Sequence, residues 1–325
     1  RANILREALT HADSKNPFDN PQIKAVMDLC ISCKACASEC PSSVDMASYK
    51  AEFLYQYQKE HGSSLRDRIF AYNGKISKLL NPFRVLQNTV LNTPIIGALI
   101  KKTFGIAAAR SLPKLFAPLD RELIKKNQKK SDRQVYLYLD EFTNYLDVKT
   151  GRDAYDTLIR LGYNVKVLPS TESGRAYISK GFLKQAKACA NQNVALYKDH
   201  INAQNPLLGI EPSAIYTFKD EYLKLAKDKS AAKKLSESCF LIEEFLAKEI
   251  DKGHITPDAF NDQTKNLKIH AHCYQKSIGN PADTFKILNL PRNHKVTLLS
   301  TGCCGMAGSF GYEAEHFEIS QKIGE

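Results

Sequence analysis

The chain has no apolar run of about 18 residues, so no membrane-spanning helix is expected. Its nearest approach, VLNTPIIGALI at 90–100, runs straight into Lys101 and Lys102. No signal-peptide pattern is seen, and crowded, evenly spaced cysteines in such a chain lead us to expect a reducing compartment and thiols rather than disulfides. The basic residues are not interleaved with aromatics as single-stranded nucleic-acid binders require, so no nucleic-acid partner is expected. The Gly-rich GMAGSFG at 305–311 lacks the G-x-G-x-x-G spacing and the acidic residue about 20 positions on, which excludes a dinucleotide site there.

What remains is an ordinary globular composition, 43% hydrophobic and 25% charged, on 325 residues, long enough for about two domains. The formal charge is +11, and residues 101–133 hold ten Lys/Arg against three Asp/Glu. That stretch reads as a solvated linker helix or as a contact for an anionic membrane face or acidic partner. The opening Arg1 and the closing EISQKIGE lead us to expect a piece of a longer polypeptide.

Three regions are expected. Residues 1–80 read as helical: Met46, Tyr49, Lys50, Phe53, Leu54 and Tyr57 fall on one stripe, with Ser43 or Asp45 as cap and Gly62 as terminator. Residues 81–133, punctuated by Pro82, Pro94, Pro113 and Pro118, read as a linker with short helices. Residues 134–325 alternate strands (134–140, 163–169, 206–212, 267–273, 295–302) with helices, among them 178–201 and 238–250, which implies parallel sheet flanked by helices. This last region repeats itself, about 134–250 against 265–325, the second half apparently truncated. Aligning Glu141 with Cys273 brings TESGRAY (171–177) onto GCCGMAG (302–308), so Glu172 and Ser173 stand where the second half has Cys303 and Cys304.

Cys30, Cys33, Cys36 and Cys40 form C-x2-C-x2-C-x3-C-P. Thiolates at two-residue gaps let one loop wrap the irons of a cubane cluster. A zinc site usually shows paired C-x2-C motifs farther apart. Where two clusters are present, the fourth cysteine ligates the other one; Cys40 then needs a second motif, and none occurs elsewhere in 1–80. Cys273, Cys303 and Cys304 follow the ends of neighbouring parallel strands, where ligands gather, with His270, His272 or His316 near. They read as a cluster or metal site, with buried thiols or a redox-active dithiol as the alternatives. Cys189 and Cys239 read as core residues on helices. Glu141, Glu172 and Ser173 read as capping turn residues or as ligands of a hard cation.

CISCKACASECPSSVDM, HAHCYQKS and GCCGMAGSFGYEAEHFEISQKIGE, in that order, resemble the C-terminal half of large FAD-linked oxidases of the D-lactate, glycolate and D-2-hydroxyglutarate dehydrogenase type. The resemblance implies an α + α/β architecture: a helical ferredoxin-like domain, then a pseudo-duplicated cysteine-rich CCG domain with parallel sheets flanked by helices. It implies 4Fe-4S clusters on Cys30, Cys33, Cys36, Cys40, Cys273, Cys303 and Cys304, with FAD in a region absent from this chain. In the family the first CCG half often carries cysteines where this chain has Glu141, Glu172, Ser173 and Ala214, and a last cysteine of the second half would fall beyond Glu325. Cys273, Cys303 and Cys304 are then three ligands of a four-ligand site. The function implied is an electron relay from a flavin to an acceptor such as a quinone. A stand-alone iron–sulfur subunit of a separate flavoprotein and a zinc-stabilised interaction module are the alternatives. The expected location is the cytoplasm or the cytoplasmic face of a membrane.

Overall fold

The computed structural model of the protein describes residues 2–10, 16–126 and 133–325. Its first part is helical. Asn20 accepts the Gln22 and Ile23 N–H groups and so caps Pro21–Asp28, with Pro21 placed where no helical donor is missed. Asp45, rather than Ser43, caps the long helix Met46–His61, and Gly62 ends it at φ 71°. Met46, Phe53 and Leu54 face inward as their spacing requires. Tyr49 is turned to solvent instead, and the small Ala47 and Ala51 are buried in its place. Ala51 packs against Tyr177, Ile178 and Ala186, so this helix serves two cores, its own and one shared with the second part.

Short helices follow, with Pro94 opening Pro94–Thr103 and Pro118 preceding Leu119–Leu123. In the basic stretch Lys126 is paired with Glu122 at 2.9 Å, while Lys129 and Lys130 lie outside the described residues.

The second part is built on parallel strands. β1 (Gln134–Tyr138), β2 (Asn164–Lys166), β3 (Leu207–Gly209) and β4 (Cys239–Leu241) form one sheet in the order β2-β1-β3-β4. β5 (Lys265–Ile269) and β6 (His294–Leu298) form a second, two-stranded sheet. Val135, Leu137 and Leu139 face one apolar core and Tyr138 and Leu207 the other, as befits strands covered on both faces.

Two sequence expectations need correction. Residues 238–250 are not one helix: Cys239–Leu241 is strand and Ile242–Asp251 helix, and Cys239, fully buried, therefore reaches the core from a strand. A three-residue buried strand abutting a helix leaves no period of its own to read. The helix expected over 178–201 breaks into Arg175–Ser179 and Leu183–Tyr197 around Gly181, at φ 76°. A Cβ at Gly181 would lie 2.6 Å from Leu54 Cβ, so the glycine permits the long helix of the first part to dock there.

The segments aligned in the sequence are built from similar elements. β1 leads into a five-residue helix, Glu141–Tyr145, capped by Asp140; β5 leads into a five-residue helix, Cys273–Ser277, capped by His272. β1 pairs with β2 through Gln134 and Asn164, and β5 with β6 through Lys265 and His294. The glycines after each second strand, Gly174 and Gly305, are both left-handed, at φ 81° and 79°.

Candidate metal centre

Two of the loop's non-glycine residues, Ser32 and Lys34, have positive φ (52° and 63°), a costly conformation that persists only where the surroundings fix it. The surroundings are clear for Lys34. Its side chain is buried among acids of both parts: it is ion-paired with Asp220, with Glu221 at 3.0 Å and, in the first part, with Asp45 at 3.5 Å. Burial disfavours its charge, but Glu221, Asp220 and Asp45 outweigh that and raise its pKa. Asp45 is held down at about 2, its burial outweighed by the Ser48 hydroxyl and Lys34. Glu221 also binds Arg175 at 2.8 Å. Left-handed turns of this kind turn backbone N–H groups inward and suit anionic sulfur centres.

With Lys34 planted, the loop presents Cys33 to the second cysteine motif. Ser277 Oγ lies 3.0 Å from the carbonyl oxygen of Cys33 and 3.0 Å from that of Cys273. Lys276 Nζ donates to the carbonyls of Thr301 (2.6 Å) and Gly302 (3.0 Å), drawing the Cys303 turn onto the same helix. Gly305 N–H points at Cys303 Sγ, at 3.4 Å. Burial raises the Cys33 thiol, with the neighbouring Cys30, Cys36 and Cys303 adding to the effect against the Ala35 N–H. Burial likewise pushes Cys273 up to about 12, reinforced by Cys303, Cys33 and Cys304. Crowded, half-buried thiols of this kind hold their protons until a cation takes their place.

Cys40 differs. It is drawn down by the backbone N–H groups of Val44, Ser42 and Ser43, and no other thiol contributes to its shift. On the opposite side of the loop, Lys50 Nζ donates to the Cys30 carbonyl at 2.6 Å, burial lowering its pKa. A cavity of about 520 Å³ reaches Cys30 here, between the long helix and the segment Ala307–His316.

The donor set fits iron–sulfur ligation. All nine cysteines are free thiols. A single tetrahedral zinc needs sulfurs about 3.8 Å apart around bonds of about 2.3 Å. Among the described residues no three thiols lie within 4.8 Å of one another, whereas a cubane takes its thiolates one per iron at wider spacing.

The histidines expected near the thiols each use Nδ1 in a local contact. His270 Nδ1 meets Thr301 Oγ1 at 2.9 Å, His272 Nδ1 accepts the Tyr274 N–H, and His316 Nδ1 meets Glu313 at 2.9 Å while stacking on Phe310. Glu313, Glu315 and His316 do converge, a grouping the sequence reading did not single out. Lys180, 2.6 Å from Glu313, and Arg66, paired with both glutamates, already balance them.

Glu141, Glu172 and Ser173, read from the sequence as capping residues or cation ligands, are engaged in local hydrogen bonds. Glu141, buried, accepts the Ser173 N–H at 2.7 Å and the Ser173 hydroxyl at 2.9 Å. Burial, and then the charge of Asp140, raise its carboxyl far above the ordinary range. Glu172 accepts the Tyr177 hydroxyl at 3.2 Å, and Ala214 is wholly buried. Cys189 lies on a buried helix face, as expected.

Residues 1–45, which carry all four cysteines of the first motif, match the 4Fe-4S dicluster domain family. Among curated proteins the chain is 27% identical to D-2-hydroxyglutarate dehydrogenase of Haemophilus influenzae over 93% of its length and 31% of the relative's. It is 26% identical to the Escherichia coli K12 protein of that name over all of its length and 32% of the relative's. It is 25% identical to one subunit of the anaerobic glycerol-3-phosphate dehydrogenase of Escherichia coli K12, over 80% of this chain and 66% of that polypeptide. The resemblance drawn from the cysteine motifs thus holds: this is an iron–sulfur, metal-binding chain similar to oxidoreductases, and it spans about a third of the length of the D-2-hydroxyglutarate dehydrogenases it matches. No solved structure matches it.

Proposed function

We propose that the chain is the electron-relay portion of a flavin-dependent 2-hydroxy-acid dehydrogenase, conveying electrons from FAD to an acceptor such as a quinone. The observation that carries this reading is the approach of Cys33 to Cys273 and Cys303, which are 240 and 270 positions away in sequence. Iron–sulfur clusters, when bound, accept and release single electrons. The chain's part is to fix and shield them. Cys30, Cys33, Cys36, Cys40, Cys273, Cys303 and Cys304 would hold them. Lys34 sets the loop by its acid cage, Ser277 ties one motif to the other, and Lys50 places a positive charge beside Cys30.

The reading divides the chain into a ferredoxin-like domain (1–80), a basic linker (81–133) and a CCG domain (134–325). Its partners are a flavin-bearing region, the acceptor, and a peripheral contact at the cytoplasmic membrane face. The match to one polypeptide of a multi-subunit dehydrogenase favours a second reading, in which the flavin lies on a separate polypeptide. The coding sequence beside Arg1 discriminates the two. Cysteine substitution tests the relay itself: Cys33→Ser and Cys303→Ser are each expected to lower bound iron and sulfide and to alter the EPR spectrum of the dithionite-reduced, anaerobically prepared chain. An unchanged spectrum in Cys303→Ser would remove the C-terminal thiols from the ligand set.

A further inference from the structure

Between Arg68 and Leu119 the chain has no Asp or Glu at all, over 52 residues that carry eight Lys/Arg. At its overall frequency of 35 acidic residues in 325, five or six would fall there. The three most exposed large apolar side chains among the described residues lie in the same span. Ile95 is 82% exposed, Leu79 75% and Val85 72%, with Phe83, Leu86 and Leu99 each at 63%.

Val85, Leu86, Ile95 and Leu99 belong to one built unit, with Leu79 and Phe83 on the segment just before it. The helices Arg84–Asn92 and Pro94–Thr103 form a hairpin, turned at Thr93. They meet closely at Gly97, where a Cβ would lie 2.6 Å from the Leu91 carbonyl oxygen. The back of the hairpin is fastened: Asn88 donates to the Leu115 carbonyl and accepts its N–H, both at 2.9 Å, and Asn81 donates to the Phe116 carbonyl at 2.7 Å. The front is left apolar, and Lys101 and Lys102 close its last turn. Neither helix is long or apolar enough to cross a membrane.

We propose that this hairpin is a monotopic anchor that seats its apolar front in the headgroup–acyl boundary of an anionic lipid bilayer. A short amphipathic unit with aliphatic and aromatic residues on one face and cations at its rim is what such a boundary accommodates. The exclusion of carboxylates is what an anionic surface demands, since each would be repelled and costly to desolvate. A protein partner would not require that exclusion, because acidic residues are readily matched across a protein interface.

The anchor rests on the membrane contact included in the proposed function, and it and the relay fail separately: loss of vesicle binding leaves iron content untouched, and loss of iron leaves the hairpin in place. The test uses the whole chain with vesicles of phosphatidylcholine alone or mixed with phosphatidylglycerol, read by co-sedimentation. Binding is expected to the mixed vesicles and to weaken as salt is raised. Leu86→Asp and Ile95→Asp are each expected to reduce partitioning about tenfold, with thermal unfolding unchanged because both side chains are exposed. Lys101→Gln with Lys102→Gln is expected to reduce the preference for phosphatidylglycerol. Absence of native-chain binding to the mixed vesicles overturns the proposal, as does native-like binding by the Asp variants. Self-association or flavoprotein binding through the hairpin, without vesicle binding, overturns it too.

Discussion

Ser277 Oγ stands 3.0 Å from the Cys33 carbonyl oxygen and 3.0 Å from that of Cys273, so one hydroxyl spans the two cysteine motifs. The second contact is its own helix's i−4 carbonyl, while the first crosses 244 residues of sequence. Ser277→Ala removes the crossing bond. It is expected to cost about 1 kcal/mol in urea unfolding and to broaden the reduced-state EPR signal by loosening the Cys33 turn. An unchanged spectrum would show that the loop is held by Lys34 alone.

Lys34 carries the larger energy. Removing one partner from a buried ionic network costs roughly 3–5 kcal/mol, because the remaining charges stay desolvated. Lys34→Ala leaves Asp220 and Glu221 facing each other in that state and is expected to destabilise the chain within this range at neutral pH. Acid exposes the same network. Asp45 titrates at about 2 in the folded chain, below its ordinary 3.8, so its contribution is present above 3.8 and lost as the pH falls through about 2. Acid unfolding curves of native and Lys34→Ala chains check this, the variant losing less over that window.

Much of this was legible in advance, for identifiable reasons. The C-x2-C-x2-C-x3-C-P motif and the Gly-flanked Cys303–Cys304 announce their chemistry by residue type and spacing, and the strands β1, β2, β3, β5 and β6 announce themselves as apolar runs between turns. The capping of the long helix by Asp45 and its end at Gly62 follow from local rules. What sequence did not disclose is the approach of Cys33 to Cys273. It depends on Lys34 finding Asp220 and Glu221, and on Gly181 admitting Leu54, contacts between distant segments that no local period encodes.

The glycines of the Cys303–Cys304 turn offer a paired test. Gly305 is left-handed at φ 79°, and a Cβ there would collide with the Ser320 carbonyl oxygen. Gly302 has no heavy atom within 4 Å of a built Cβ. Gly305→Ala is expected to cost roughly 1–3 kcal/mol from the backbone conformation alone and to lower bound iron. Gly302→Ala is expected to stay within about 0.5 kcal/mol of the native chain. Equal effects would mean that the turn is not held as described.

Glu141 predicts a pH dependence of opposite sign to that of Asp45. Its folded pKa is raised above the ordinary 4.5, so the folded chain binds the extra proton and stability declines as pH rises beyond that value. The slope reaches at most about 1.4 kcal/mol per pH unit. Glu141→Gln keeps a neutral side chain of the same shape and is expected to flatten the decline in thermal unfolding measured from mildly acidic pH up to about 8. A decline as steep as in the native chain would place the titration elsewhere.

The central claim, that these thiols hold iron and sulfide, is tested most directly by metal and acid-labile sulfide analysis of chain purified without oxygen. The account predicts iron and inorganic sulfide in near-equal amounts, as a 4Fe-4S cluster contains, with both falling in Cys33→Ser. Zinc without sulfide would contradict it.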